Sequence, residues 1–491
     1  MEIHEADIVI IGSGAAGAMA ALAAHEQGAT FVGLDQLPEF GGTAIISGGG
    51  MQVAGSSMQT EKGIDDSPDR AYHDMVDGND ECDPAWVRFY YEKGNEQLFD
   101  WLRGHELEYA SISINEGDSV ARRHVPKGGG LGLMTRLRQV HEELGLLQNW
   151  HQSMTARDLL WEDGRVAGVL AQDSDGQTHE FRGKTTLAAT GGMAGSLPMV
   201  LKYSKKLAAA GKVLAGGGVG AQGTGHEILL KHGATLTNID NFVIYCFATP
   251  DYQDPKVERG LVVRGIDSCI WVNSAGRRFH NEALSGSVYA PPVVLAQQPP
   301  VYWAIVDHEM AEKIQVSDPR YRQGLDDLRD KVWQLLKESP YIARGDNPRE
   351  LAQNAGINPE GLEATVEQWN ALLATGADKD PQTGRSLKIQ NSPLKALNSP
   401  PYYALQFWPL ARKNQGGVHT DMQCRVLDAS GAVIPGLYAA GELCGFAGGH
   451  ISGTRSLEGI MIGGSLFSGR VAGAWAAHET GAPEPLHLKA E

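Results

Sequence analysis

Cysteine is scarce in this chain. There are five in 491 residues (Cys82, Cys246, Cys269, Cys424 and Cys444), with no C-x-x-C pair and no metal-like spacing of His and Cys. That excludes a disulfide framework and gives no expectation of a metal site, and an odd number of scattered thiols fits a reducing, cytoplasmic setting. Basic residues are outnumbered, 42 Lys and Arg against 59 Asp and Glu, for a net charge of −17. No Lys/Arg-rich run offsets this, so nucleic acid and anionic membranes are excluded as main partners. No uninterrupted apolar run reaches the about 18 residues of a membrane span. The opening "MEIHEADIVIIGSG" enters a strand without a basic n-region or a signal core, which again predicts the cytoplasm. Glycine, by contrast, is abundant, at 61 residues with no collagen period and no Gly/Ser linker. Such glycine predicts many tight backbone approaches. The length predicts two domains, one of them inserted into the other.

The first glycines have an evident purpose. "ADIVIIGSGAAGAMAALAA" is an apolar run, Ile8 to Ile11, followed by Gly12-x-Gly14-x-x-Gly17 and an Ala-rich helix. A continuous apolar run of that length reads as a buried parallel strand. Gly12 permits the turn, Gly14 lets a pyrophosphate reach the helix N-terminus, and Gly17 lets helix and strand pack closely. "ATFVGLDQ" then gives a second strand ending in Asp35, an acid placed to accept hydrogen bonds from a ribose. Further glycine-rich segments follow at "GGTAIISGGGM", at "AATGG" (Thr190, Gly191, Gly192) and at "GLYAAGE" (Gly441, Glu442). Together they predict a ligand longer than a nicotinamide dinucleotide, held along its length. No second strand–G-x-G-x-x-G–helix unit occurs, so a dedicated NAD(P)H domain is not expected.

These stretches, with "VNSAGRRFHNE" and "GGVHTD", resemble the FAD flavoprotein family of fumarate reductases, succinate dehydrogenases and ketosteroid dehydrogenases, over nearly the whole chain. The resemblance implies an α/β, Rossmann-like FAD-binding domain of glutathione-reductase type with an inserted α+β cap. It places the adenosine end of the flavin at Gly12 to Asp35, the ribityl chain near Glu442 and the ring near Gly48 and Gly49. The cofactor set it implies is Gly12, Gly14, Ala15, Ala16, Gly17, Asp35, Gly41, Gly42, Thr43, Ser47, Gly48, Gly49, Thr190, Gly191, Gly192, Gly441, Glu442, Ser456 and Leu457. Gly42 stands where the relatives that link their flavin carry a His, so FAD is expected without a covalent link.

The expected boundaries are 1–239 with 401–491 for the FAD-binding domain and 240–400 for the cap. Within the cap, Leu325, Leu328, Val332 and Leu335, then Leu362, Val366, Trp369 and Leu373, follow a helical period. Asn358 and Pro359 read as N-cap and first helical residue, and Gly376 as a stop. "GIDSCIWVNSAGRRFHNE" reads as a strand pair about a Ser-Ala-Gly turn, with Arg277 and Arg278 as structural arginines and His280 as an ordinary strand or turn residue.

Two departures from the family bear on chemistry. Fumarate reductases have an Arg as proton donor shortly after the "RF-x-NE" segment, whereas this chain continues "ALSGSVY". Tyr289 is the nearest acid/base-capable side chain, and ketosteroid dehydrogenases use a tyrosine from the comparable region. Before "GGVHTD", Lys413 occupies the place of a carboxylate-clasping His, and could hold an anion or form a solvated basic turn. The C-terminal "GFAGGHISGTRSLEGIMIGG" then resembles two branches at once. His450, Ser452 and Gly453 correspond to residues that hold a 3-keto group in ketosteroid 4-dehydrogenases, and Arg455 to a carboxylate-binding Arg of fumarate reductases. Its glycines are expected to let backbone pack against the flavin ring. The alternatives are a His in the core and an Arg paired with Glu458.

The sequence therefore predicts an FAD-dependent oxidoreductase acting on a C–C bond beside a carbonyl, on an alicyclic or steroid-like ketone, with Tyr289, His450, Ser452 and Arg455 catalytic and Lys413 and Gly453 at the substrate. The alternatives are a reductase or dehydrogenase of a small unsaturated carboxylic acid, or an electron-transfer subunit of a larger complex. The expected partners are a small-molecule substrate and an electron donor or acceptor that the sequence does not identify.

Overall fold

The structure is a computed structural model and describes residues 2–78, 81–115, 117–321, 325–389, 392–452 and 460–490. Its contacts divide the chain into two compact units. The first comprises residues 1–199, 217–243 and 413–491, and the second 200–216 and 244–412.

The first unit is built on a six-stranded sheet. β2 (Ile8–Ile11) lies at its middle, parallel to β3 (Phe31–Leu34) on one side and to Thr185–Ala188 on the other. Val433–Ala439 extends the sheet in parallel beyond Thr185–Ala188, and Arg425–Leu427 closes that edge antiparallel. Every residue of β2 and β3 is buried, as their unbroken apolar runs require. Between these two strands runs α1 (Ala15–Glu26), buried along Ala15 to Ala24. It packs along the C-terminal helix Ile460–Glu479 through small residues. A Cβ placed on Gly469 would stand 2.3 Å from the Ala16 carbonyl oxygen, and one on Gly473 would stand 2.2 Å from that of Ala20. A four-stranded sheet completes the unit, in the order β1 (Glu2–Glu5), Thr178–Arg182, Arg165–Gln172, Thr155–Glu162.

The second unit has the long strand Tyr402–Asn414, up to Arg412, at its centre, antiparallel to Tyr302–Val306 and to Ile342–Gly345. Both expected helices form there, at Leu328–Glu338, which leaves Leu325 before its start, and at Pro359–Ala374. Asn358 caps the second, its Oδ1 accepting from the Gly361 amide at 2.7 Å, and Gly376 follows with φ +69°. The expected strand pair near Ile270 is only half present. Ile270–Val272 is a strand, but it pairs with Tyr302–Val306 and meets the far side of its own turn in a single bridge, Val272 to Arg278. Arg278 explains why. Its guanidinium takes Glu282 through two bonds of 2.8 Å and Asp380 at 2.7 Å, and it covers the Trp369 ring. Buried charge satisfaction thus overrides strand pairing.

Candidate functional site

The Gly12–Gly17 turn has the geometry of a phosphate cradle. Gly12 has φ +105°, and a Cβ there would lie 2.4 Å from the Ala189 carbonyl oxygen. One on Gly17 would lie 1.8 Å from the Gly12 oxygen. Gly14 is the N-cap of α1, with no side-chain cap, no acid in the first turn and nothing within 4 Å of where its Cβ would be. A helix N-terminus of this kind, uncapped and facing open space, suits a diphosphate.

Other predicted segments gather around it. Gly42 opens a short 3₁₀ turn, and its Cβ would stand 3.3 Å from the Gly14 Cα. Gly41 precedes it at φ +122°, and Thr43 lies against Gly218. Gly441 reaches Ala16, while Thr190 lies against Gly225 with its Oγ1 buried and unpartnered among the described residues. Asp35 is buried at the end of β3. Its Oδ2 accepts from the Ser13 amide at 2.7 Å and the Ser13 hydroxyl at 2.8 Å, and its Oδ1 accepts from the Leu37 amide at 2.8 Å. The carboxylate therefore fixes the first glycine turn, and its remaining lone pairs suit a ribose. Glu442 explains the glycine at 192, because a Cβ there would strike its carboxylate at 2.1 Å. Asn414 pins that corner, its Nδ2 donating to the Glu442 carbonyl at 2.8 Å and its Oδ1 accepting from the Met193 amide at 3.1 Å.

In the second glycine loop, the Ser47 hydroxyl donates to the Ala44 carbonyl and accepts from the Gly49 amide, so it shapes its own turn. The segment "RRHVPKGGG", read from sequence as a loop over the site or a flexible glycine loop, is regular structure, with Arg123–Pro126 a strand. Gly129 begins a helix, and Gly130 donates its amide to the Ser47 carbonyl at 3.1 Å. Arg123 from this segment is a residue that sequence reasoning missed. Its guanidinium lies along Gly48 and Gly50, where a Cβ would meet it at 3.0 and 2.4 Å, and its Nε is buried without a partner among the described residues. Only the side-chain-free backbone of that loop admits it, a signal invisible until both segments are folded.

His450 is half-buried, with Nδ1 3.3 Å from the Thr237 Oγ1. Burial holds its pKa below the usual imidazole value, with His419 adding to the effect and Asp83 and Glu81 opposing it. Ser452 is fully buried, and its hydroxyl has no hydrogen-bond partner among the described residues. The glycines before them answer to protein neighbours: Gly448 leaves room for the Trp86 ring and Gly449 for Thr237. Gly463 likewise admits the Tyr90 hydroxyl. A glycine signals close approach without naming what approaches, and on the side where a Cβ would stand these three meet protein. Lys413 directs its ammonium to the Met461 sulfur at 3.2 Å. Gly453, Arg455, Ser456, Leu457 and Glu458 lie outside the described residues.

In the second unit, Tyr289 is the N-cap residue of the helix Ala290–Leu295 and is half exposed. Tyr245 and Phe247 stack with centroids 4.9 Å apart, and Arg264 covers both rings. No described helix is long and apolar enough to cross a membrane.

With this cradle in view, the comparison with known proteins is decisive: residues 7–462 match the FAD binding domain family. The chain belongs to that family. It is 31% identical to the urocanate reductase of Eggerthella lenta over 480 residues, covering 96% of this chain and 75% of that one. It is 26% identical over 547 residues to a KsdD-like steroid dehydrogenase of Mycobacterium tuberculosis, covering 96% of each chain. Among solved structures it resembles the open conformation of a flavocytochrome c3 fumarate reductase, with a TM-score of 0.77 and 25% identity over 97% of this chain and 79% of that one. FAD is the cofactor, and the protein is an FAD-dependent oxidoreductase acting on C–C bonds. Since Gly42 offers no side chain for a link, acid precipitation should release all the flavin colour into the supernatant, and colour kept in the pellet would contradict this.

Proposed function

We propose that this flavoprotein removes or adds hydrogen across the C–C bond next to the carbonyl of an alicyclic, steroid-like ketone. The observation that carries the reading is that His450, whose pKa burial holds down, and the Ser452 hydroxyl, buried and unpartnered among the described residues, lie two positions apart in the chain. Neutral donors suit a ketone oxygen, which gathers charge only as an enolate-like transition state forms, better than they suit a permanent carboxylate. When bound, FAD supplies hydride acceptance or donation. The chain's own work is to place the diphosphate on the uncapped N-terminus of α1, to polarise the carbonyl with His450, Ser452 and Arg455, and to move a proton at the Tyr289 hydroxyl. In this reading residues 1–239 and 401–491 form the FAD-binding domain, and 240–400 the domain that supplies Tyr289.

A second reading is reduction of a small unsaturated carboxylic acid, with Lys413 and Arg455 as anion holders. The 31% identity to a urocanate reductase favours it. The absence of an Arg in "ALSGSVY" counts against fumarate itself. Anaerobic titration of the oxidised and the reduced protein with a panel of cyclic ketones, enones and unsaturated acids separates the two. Ketones should bleach the flavin or enones restore its colour, and His450→Gln should lower that rate about 10-fold or more. Electron exchange with acids alone would sink the ketone reading.

A further inference from the structure

We propose that Glu2, His4 and His179 form a binding site for one divalent transition-metal ion of the zinc type, made of residues that the flavin reading does not use. β1 runs parallel to Thr178–Arg182, with Glu2 opposite His179 and His4 opposite Phe181. The two-residue period of a strand puts Glu2 and His4 on one face, beside His179 and Phe181. One ligand atom from each of Glu2, His4 and His179 lies within 4.8 Å of the other two, and the His179 Nδ1 is 3.7 Å from a Glu2 carboxylate oxygen.

A second observation is independent of this clustering. His4 Nε2 and His179 Nδ1 are both buried and hydrogen-bonded to nothing among the described residues. His179 is only 6% exposed, so no solvent satisfies its nitrogen. Its other nitrogen, Nε2, is 3.0 Å from an Asp173 oxygen. A proton on Nε2 donated to that carboxylate leaves the Nδ1 lone pair free toward Glu2, the arrangement in which a carboxylate orients a metal-bound histidine. Two imidazole nitrogens and one carboxylate suit zinc-like ions, while calcium and magnesium favour all-oxygen sites. A zinc ion needs its ligands closer than they stand here, at roughly 3.3 Å from one another for bonds of about 2.0–2.1 Å. The exposed Glu2 side chain is free to swing inward and supply that closure. Water would fill the remaining position. The ion would tie β1, the outermost strand in the order of its sheet, to its neighbour. The competing account is packing alone, since His4 also lies against the rings of His151 and Phe181.

The test uses the full-length FAD-loaded protein, stripped with chelator and titrated with Co²⁺ alone, followed by Zn²⁺. We expect one Co²⁺ per chain with visible ligand-field bands, displacement by one Zn²⁺, and a higher thermal midpoint with Zn²⁺. His4→Ala and His179→Ala should each abolish the bands, and Asp173→Asn should weaken binding by about 10–100-fold. Absence of the bands in the parent protein, or their persistence in either histidine variant, overturns the site. If the histidine variants fail to load FAD, Glu2→Gln on the exposed ligand decides: weaker Co²⁺ binding supports the site and unchanged affinity overturns it.

Discussion

Tyr289→Phe is expected to slow turnover by about 10²–10⁴, the loss that follows removal of a general acid or base. FAD content and thermal midpoint should stay those of the parent. The two halves of this expectation rest on different observations. The tyrosine is 49% exposed and its hydroxyl has no hydrogen-bond partner among the described residues, so deleting one oxygen there disturbs little packing. Substitutions at such positions change stability by only about 0.5 kcal/mol. The chemical loss follows from the segment around it, because the other polar side chains of "ALSGSVY" are serine hydroxyls, far weaker acids than a phenol. Single-turnover flavin reduction under anaerobic conditions is the cleanest measurement. A variant with parental rates would remove Tyr289 from the reaction.

The largest expected effect on stability is at Arg122. This fully buried guanidinium takes Asp66 through two bonds of 2.9 and 3.1 Å, Asp74 at 2.5 Å and Asp118 at 3.3 Å. Arg122→Met leaves these carboxylates packed together with no cation between them, and removing one partner of a buried ion pair costs about 3–5 kcal/mol. The deficit should depend on pH. Burial pushes the Asp118 carboxyl up to about 6, although Arg122 pulls it down. A carboxyl of the unfolded chain titrates near 4, so the folded protein holds the extra proton between roughly pH 4 and 6. The contribution of Asp118 is thus full below about pH 4 and is lost as pH rises through about 6. Without Arg122 the carboxylates repel unscreened once ionised, so the variant should fall furthest below the parent at pH 8 and less far at pH 5. Thermal midpoints at the two pH values check it. A deficit that is equal at both, or smaller at pH 8, would refute the account.

How far the sequence could be followed depended on whether each signal was local. β2, α1 and β3 were legible because an all-apolar run, three glycines and an acid at the right interval act within 30 residues of one another. The helix Pro359–Ala374 was legible because its cap, its first proline and its period are contiguous. Arg123 was not, since its place is set by the bare backbone of Gly48 and Gly50. Nor was the Glu2–His4–His179 group, whose partners come from strands far apart in the chain and join only through a parallel register. The protein neighbours of Gly448 and Gly449 belong to the same class, since Trp86 and Thr237 are distant in sequence.

The crossing of α1 with Ile460–Glu479 sets a timetable for biosynthesis. Ala16 and Gly469 are 453 positions apart, yet their helices touch backbone to backbone. A ribosome that has delivered the first 400 residues has exposed the strand, the turn and the helix of the phosphate cradle, but not the helix that covers α1. Nor has it yet delivered Val433–Ala439, which extends the central sheet. Contacts of such sequence separation form slowly and late. Until they form, an apolar Ala-rich face stays open to chaperones and to self-association. A nascent chain stalled before residue 460 is therefore expected to be colourless.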